Sequence, residues 1–308
     1  MKILIIGAGA YGLALATVLN EKNEVIVYSS LQQEIENLKQ TYKNERLFPG
    51  ITLDKKIKFI NKMEDSDIVI IALPTNIVRQ ELQKLKEYIE NKTIIITSKG
   101  ITNKKFVYEI VKETIKSENI YVISGPSFAK DVIKKETITL TLAGKNTEKI
   151  KNIFNEKYIK LEETEDIIGT EICGSIKNTF AIGAGILEGM NVSESTKAAY
   201  LTKIINDTKK ILKQMNGNPE TILKSCGIGD ILLTCTSKSS RNFTLGYMIG
   251  SKRTKQEIEE YLKTTTVEGL NTLLEFKQIE NLKIIEIIYN ILYNNYNPNK
   301  LLEYIVEK

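Results

Sequence analysis

A lysine in the middle of an apolar segment is the first residue in this chain that asks for a chemical reason. In GTEICGSIKNTFAIGAGILEG, residues 169 to 189, Lys177 stands among Ile172, Ile176, Phe180 and Ile182. On a helix, Gly174, Lys177 and Asn178 are three and four residues apart and share one face. Gly174 would admit a ligand close to the backbone, with Lys177 and Asn178 pointing toward it. The bland alternative is a lysine that snorkels at the rim of the helix. The reading preferred is a partly desolvated ammonium in a cleft, able to give a proton to a carbonyl oxygen. The chain contains no histidine. Ser-His-Asp catalysis, His-carboxylate pairs and histidine metal sites are thereby excluded, and any acid-base step falls to Lys, Asp, Glu, Tyr or Cys.

A second cluster lies in CGIGDILLTCTSKSSRNFTLG, residues 226 to 246. Asp230 follows two glycines, and Ser240, Arg241 and Asn242 stand just before a further helical stretch. Arg241 can hold a phosphate with its planar fork, Ser240 and Asn242 add hydrogen bonds, and a helix start there contributes backbone donors. The alternative is an N-cap segment with a solvated arginine. Cys173, Cys226 and Cys235 are odd in number and lack metal-site spacing, which argues against a disulfide framework and a zinc ribbon and suits a reducing compartment. Cys226 and Cys235 are taken as small packing residues.

These groups must be positioned by a scaffold, and the N-terminal half supplies its own signature. Gly7, Gly9 and Gly12 form G-x-G-x-x-G directly after the apolar run KILII (2–6) and ahead of the helical LALATVLNE. The first glycine permits the tight turn, the second lets a pyrophosphate approach the backbone, and the third allows close helix-to-strand packing. A glycine turn without a ligand is the competing reading. A bound nicotinamide would bring hydride to the carbonyl carbon while Lys177 protonates the carbonyl oxygen. At the end of the second strand, where NAD-selective domains place an acid, stand Ser29 and Ser30, with Glu34 a helical turn later. No acid there repels a 2'-phosphate and no arginine welcomes one, which tilts the expectation slightly toward NADPH over NADH. Pro74 in ALPT, Pro126 in SGPSFA and Lys99 in TSKG each follow a strand end, where ligands of open α/β sheets bind. Ordinary turn chemistry accounts equally well for either proline segment, whereas Lys99 beside a glycine can meet an anion.

The apolar runs at 2–6, 24–28, 67–73, 92–97 and 119–124 alternate with helical stretches, which predicts a parallel, doubly wound sheet covered on both faces. From about residue 163 the spacing becomes helical, over 166–189, 194–215, 257–262, 268–279 and 283–296. The expected division is a Rossmann-like dinucleotide-binding domain at 1–162 and an all-helical substrate domain at 163–308. The net charge of +5 comes from 43 basic and 38 acidic residues interleaved along the chain, which argues against nucleic acid as main partner. The N-terminus opens a strand instead of a cleavable signal, and no apolar run reaches membrane-spanning length. The expectation is a cytoplasmic protein without stable membrane insertion.

In order along the chain, GAGAYG, NERLFPG, ALPTN, TSKGI, SGPSFAKD, GTEICGSIKNTFAIGAGILEG, GIGDILLTCTSKSSRN and TVEGLNT resemble the bacterial-type NAD(P)-dependent glycerol-3-phosphate dehydrogenases. The resemblance implies reversible reduction of dihydroxyacetone phosphate to sn-glycerol 3-phosphate by NAD(P)H, a role in glycerophospholipid synthesis, and a homodimer. It implies that Lys177 is the catalytic acid/base. Lys99, Gly125, Ser127, Asp230, Ser240, Arg241 and Asn242 would contact the substrate, with Lys99 and Arg241 also near the cofactor. Ala10, Tyr11, Ala129, Thr266 and Glu268 would line the dinucleotide site. Four positions depart from the family pattern: Tyr11 where many relatives have Trp, Ser30 in place of a commonly basic residue, and Lys203 and Ile204 in place of an arginine and a glycine. The rival readings are a related dehydrogenase of β-hydroxy acids or sugar-acid phosphates, and a nucleotide-sensing protein that has lost its chemistry.

Overall fold

The computed structural model describes residues 1–279 and 282–307. Its contacts divide the chain into two compact units: residues 1–99 with 105–167, and residues 100–104 with 168–307. The division falls five residues beyond the one expected from sequence, because a strand runs on to Thr164.

In the first unit the elements are β1 (Lys2–Ile6), α1 (Ala10–Leu19), β2 (Glu24–Tyr28), α2 (Gln32–Thr41), β3 (Lys58–Ile60), β4 (Ile68–Ile71), α3 (Thr75–Ile89) and β5 (Thr93–Ile96). After β6 (Ile101–Thr102), which belongs to the second unit, come β7 (Lys105–Phe106), α4 (Val107–Thr114), β8 (Ile120–Ser124), α5 (Ala129–Val132), β9 (Ile138–Ala143), α6 (Glu148–Lys151) and β10 (Ile159–Thr164). Among the described residues one sheet takes the order β10-β9-β8-β5-β4-β1-β2-β3. Ile3 of β1 lies opposite Val25 of β2 on one side and Ile68 of β4 on the other, all in parallel register. Successive side chains of a strand point to opposite faces, so Ile3, Ile5, Val25, Val27, Ile68 and Ile70 enter one core with Leu13 and Leu19 of α1. Leu4, Ile6, Ile26, Val69 and Ile71 enter the other with Val78, Leu82 and Ile89 of α3. Strands buried on both faces need unbroken apolar runs, which is what IVII and TIII provide.

The expectation of a wholly parallel sheet is corrected at one edge. β9 pairs antiparallel with β8, and β10 then pairs parallel with β9. The strand ITLTLA was absent from the expected set because its alternation is short, and the edge strand IKLEET buries its side chains only in part.

The second unit is helical: α7 (Ile167–Gly189), α8 (Glu194–Gln214), α9 (Asp230–Thr236), α10 (Arg241–Gly250), α11 (Lys255–Thr264), α12 (Glu268–Phe276), α13 (Lys283–Tyr293) and α14 (Lys300–Val306). α7 is its central helix, with every residue from Gly169 to Leu187 buried. It meets α10 backbone to backbone through glycines on both helices. A Cβ on Gly185 would lie 2.0 Å from Phe243 O, and one on Gly246 would lie 2.0 Å from Ile182 O. Residues 100–104 join this unit because the Glu275 carboxylate of α12 accepts the N–H groups of Asn103 and Lys104 at 2.8 and 2.9 Å. Lys203 lies over the Tyr304 ring at 4.9 Å and donates to Glu307 O at 3.1 Å, and Ile204 is fully buried. Lys203 thus ties α8 to α14.

Gly12 shows how closely the first turn is built. A Cβ there would meet Gly7 O at 2.0 Å, and Gly7 itself has φ 118° with Ala72 O 2.5 Å from where its own Cβ would stand. Gly12→Ala must therefore move backbone and is expected to cost about 1–3 kcal/mol. The measurement is the urea midpoint at unchanged slope, and a wild-type midpoint would show that the close approach is dispensable.

Candidate active site

Lys177 is carried on the buried face of α7 and is only 8% exposed. An ammonium so placed needs compensation, since burial disfavours its charge. Its Nζ donates to Asp230 Oδ1 at 2.6 Å and to Thr234 Oγ1 at 3.0 Å. Asp230 is fully buried and opens α9, with Thr234 one turn on, so the two side chains share a face. A π-helical turn, Ser225–Gly229, delivers Asp230. Gly227 is needed inside it, because a Cβ there would lie 2.2 Å from Ile222 O. Sequence reasoning placed Asp230 against substrate; the geometry makes it the partner of the lysine. It missed Thr234, for which the spacing of four residues from Asp230 was the available signal.

Burial favours the neutral form of two other titratable groups in this unit. Burial pushes the Cys235 thiol far up, the Lys177 ammonium opposes this and Asp230 adds to it. Burial likewise raises the Tyr200 phenol well above its ordinary value, and its hydroxyl donates to Phe180 O at 2.9 Å. All three cysteines are buried, and among the described residues no cluster of His, Cys, Asp and Glu could hold a metal ion.

Ser240 is the N-cap of α10, its Oγ accepting the Phe243 N–H at 3.3 Å. Arg241, the first residue of that helix, is exposed, and among the described residues its guanidinium makes no hydrogen bond or ion pair. Asn242 is buried and bonded to Asn178, the neighbour of Lys177, at 2.9 Å. The arrangement sets an unengaged planar cation and a serine hydroxyl at the positive end of a helix, the chemistry that binds a phosphate. Thr266 and Glu268 stand at the start of α12, in the same unit.

The first unit holds the other set. Lys99, just past β5, donates to Gly125 O at 2.8 Å, and Ser127 Oγ reaches the same carbonyl at 3.2 Å. Gly125 has φ 152°, and a Cβ on it would meet Leu140 Cα at 3.1 Å. Tyr11 Oη and Ser127 Oγ are hydrogen-bonded at 3.0 Å, and Ala10, Tyr11 and Ala129 pack against the same core. The glycine turn follows β1, whose neighbours are β2 and β4, the point at which the strand order reverses. Gly9 has nothing within 4 Å of where a Cβ would stand, and α1 begins there with no side-chain cap. Open backbone at an uncapped helix start fits a dinucleotide pyrophosphate.

The end of β2 differs from the expectation that no acid is present. The Ser29 hydroxyl donates to Glu34 Oε2 at 2.9 Å, so α2 returns a carboxylate to the strand end. Ser30 is exposed. Beyond it lies an open groove of about 850 Å³ lined by Leu31, Gln32, Glu34, Asn37, Lys43 and Arg46 among others. Lys43 is 3.7 Å from Glu45, whereas Arg46 makes no hydrogen bond or ion pair among the described residues.

Comparison with known proteins gives the family. Residues 2–150 match the family described as NAD-dependent glycerol-3-phosphate dehydrogenase N-terminus, and residues 166–303 match its C-terminus. A glycerol-3-phosphate dehydrogenase [NAD(P)+] of Bacillus anthracis is 33% identical, the alignment covering 96% of this chain and 92% of that one. The solved structure of glycerol-3-phosphate dehydrogenase from Coxiella burnetii superposes with a TM-score of 0.91 at 25% identity, covering 100% of this chain and 99% of the other. The Plasmodium falciparum glycerol-3-phosphate dehydrogenase shares the fold, with TM-score 0.87 at 22% identity over 100% of this chain and 96% of its own. Both halves of the sequence thus match one family, and the chain belongs to the NAD-dependent glycerol-3-phosphate dehydrogenases.

Proposed function

We propose that the chain reversibly reduces dihydroxyacetone phosphate to sn-glycerol 3-phosphate with NAD(P)H, the first unit holding the dinucleotide and the helical unit the substrate. The observation that carries this reading is the buried Lys177 ammonium, held by Asp230 and Thr234. When bound, the reduced nicotinamide supplies a hydride to the carbonyl carbon. Lys177 gives a proton to the carbonyl oxygen as negative charge develops there, and recovers one afterwards. Asp230 and Thr234 orient the ammonium and offset its burial. Arg241, with Ser240 and Asn242, holds the phosphate, so that remote binding energy fixes the ketone for protonation. Gly7, Gly9, Ala10, Tyr11, Gly12 and Ala129 hold the dinucleotide in the first unit, and Thr266 and Glu268 are the residues that the resemblance assigns to it in the second. Lys99, Gly125 and Ser127 form a polar group toward substrate, Lys99 also serving the cofactor.

NADPH is the preferred cofactor in this reading. Arg46 brings an unengaged guanidinium to the groove beyond Ser30, where a 2'-phosphate is accommodated. Glu34 opposes that preference, but its carboxylate already carries the Ser29 hydroxyl. No helix among the described residues is long and apolar enough to cross a membrane. The reading places the enzyme in the cytoplasm as a homodimer supplying glycerol phosphate for phospholipid synthesis.

Absorbance of NADPH and NADH should fall with dihydroxyacetone phosphate and stay constant with unphosphorylated dihydroxyacetone; equal rates with both ketones would end the phosphate reading. Lys177→Ala is expected to lower kcat by about 10²- to 10⁴-fold while dinucleotide binding persists, and near-normal turnover would remove the lysine from the chemistry. Arg241→Ala should raise the KM for the phosphorylated ketone about 10- to 100-fold, as expected for losing hydrogen bonds to a charged group. Arg46→Ala should lower kcat/KM for NADPH about tenfold and leave that for NADH in place; an equal loss with both cofactors would contradict the 2'-phosphate role.

A further inference from the structure

The carboxamide of Asn242 is engaged on both sides within the helical unit. Its Oδ1 accepts the Gly269 N–H at 2.9 Å, and its Nδ2 donates to Asn178 Oδ1 at 2.9 Å. A backbone N–H can only donate, so Gly269 fixes which end of Asn242 is oxygen, and therefore which end of Asn178 accepts. The Gly269 carbonyl accepts in turn from Thr179 Oγ1 of α7 at 3.3 Å. α12 has no side-chain cap at Val267, so Asn242 satisfies one of the N–H groups that its first turn leaves open. A Cβ on Gly269 would lie 2.7 Å from both Asn178 O and Asn242 Oδ1, which leaves room for no side chain. One residue, Gly269, therefore seats the start of α12 on α7 and α10 together.

Asn242 keeps a second Nδ2 hydrogen for a phosphate oxygen while these two bonds stay in place. Asn178 orients it from the far side. We propose that Asn178 is a positioning residue that couples the two ligand segments of this unit: through Asn242 it fixes the phosphate-holding turn of α10 and the Thr266–Glu268 start of α12 in one arrangement, which a phosphate ester and a dinucleotide both favour. The proposal rests on the assignment of Ser240–Asn242 to the substrate phosphate and of Thr266 and Glu268 to the dinucleotide. Two ligands that stabilise the same arrangement raise each other's affinity by the same factor.

The test is a titration of NADPH, followed by nicotinamide fluorescence, with and without saturating glycerol 3-phosphate, a pair that cannot react. In the wild type the Kd for NADPH should fall about tenfold when glycerol 3-phosphate is present. In Asn178→Leu the ratio should drop to about one although each ligand still binds alone. Asn178→Asp, which keeps the acceptor for Asn242, should restore it. A residue needed only for packing would weaken both affinities and leave their ratio intact. Gly269→Ala breaks the same junction from the α12 side and serves if Asn178→Leu does not fold. A ratio of one in the wild type, or an undiminished ratio in the folded variant, overturns the proposal. Arg241→Ala and Glu268→Ala separate the two levels. If neither alters the affinity for its assigned ligand, the assignment fails and the proposal with it; if both do and Asn178→Leu keeps the ratio, the coupling alone fails.

Discussion

The helical unit is organised around the requirement of one buried ammonium. Lys177 at 8% exposure is tolerable only with its charge compensated, and the compensation comes from Asp230, itself fully buried, at 2.6 Å. Such a pair is a poor device for stability. Replacing a buried ion pair by well-packed apolar residues is often neutral or stabilising by about 1–4 kcal/mol, while removing one partner costs about 3–5 kcal/mol. Its presence is therefore better explained by chemistry than by folding. In the proposed reaction, burial in α7 brings the lysine out of water and the carboxylate in direct contact compensates its charge.

From that pair follow the demands on its neighbours. α9 must begin beside α7, which the π-helical turn before Asp230 arranges, and Thr234 then arrives on the same face one turn later. α10 must present Arg241 at a fixed distance along α7, and the glycines at 185, 189, 246 and 250 let the two backbones touch. A helix held by side chains alone would sit farther out, about 8–10 Å between axes, with more freedom to slide. The Ser240–Asn242 turn thus inherits its place from the helix that carries Lys177, and the Asn178–Asn242 bond fastens the two at the residue next to Lys177.

How much of this was legible in the sequence depended on range. The glycine turn after KILII, the apolar strands and the long helices are local patterns, and the parallel core and helical second half follow from them. β9 and β10 were not legible, because ITLTLA is short and an edge strand such as IKLEET alternates only weakly. The pairing of Lys177 with Asp230 spans 53 residues, and no spacing rule connects them. The return of Glu34 to Ser29 spans five, yet it depends on a side-chain conformation that composition does not reveal. Likewise, residues 100–104 join the helical unit through hydrogen bonds to a carboxylate at position 275.

The glycines of the first turn separate folding from ligand binding more sharply than any charged residue there. Gly7 has a backbone angle that other residues rarely adopt, and Gly12 has another backbone where its Cβ would be. Folding alone accounts for both. Gly9 has φ −68° and ψ 178°, extended values open to any residue, and empty space at its Cβ position. Neither conformation nor packing explains a glycine there, and a side chain would reduce the conformational freedom of the unfolded chain and so favour folding. What remains is an atom group that must come close to the peptide between β1 and α1, and at the uncapped start of a helix that group is an anion. The middle glycine is therefore the residue of the motif that speaks for a bound pyrophosphate, because the fold itself has no use for it.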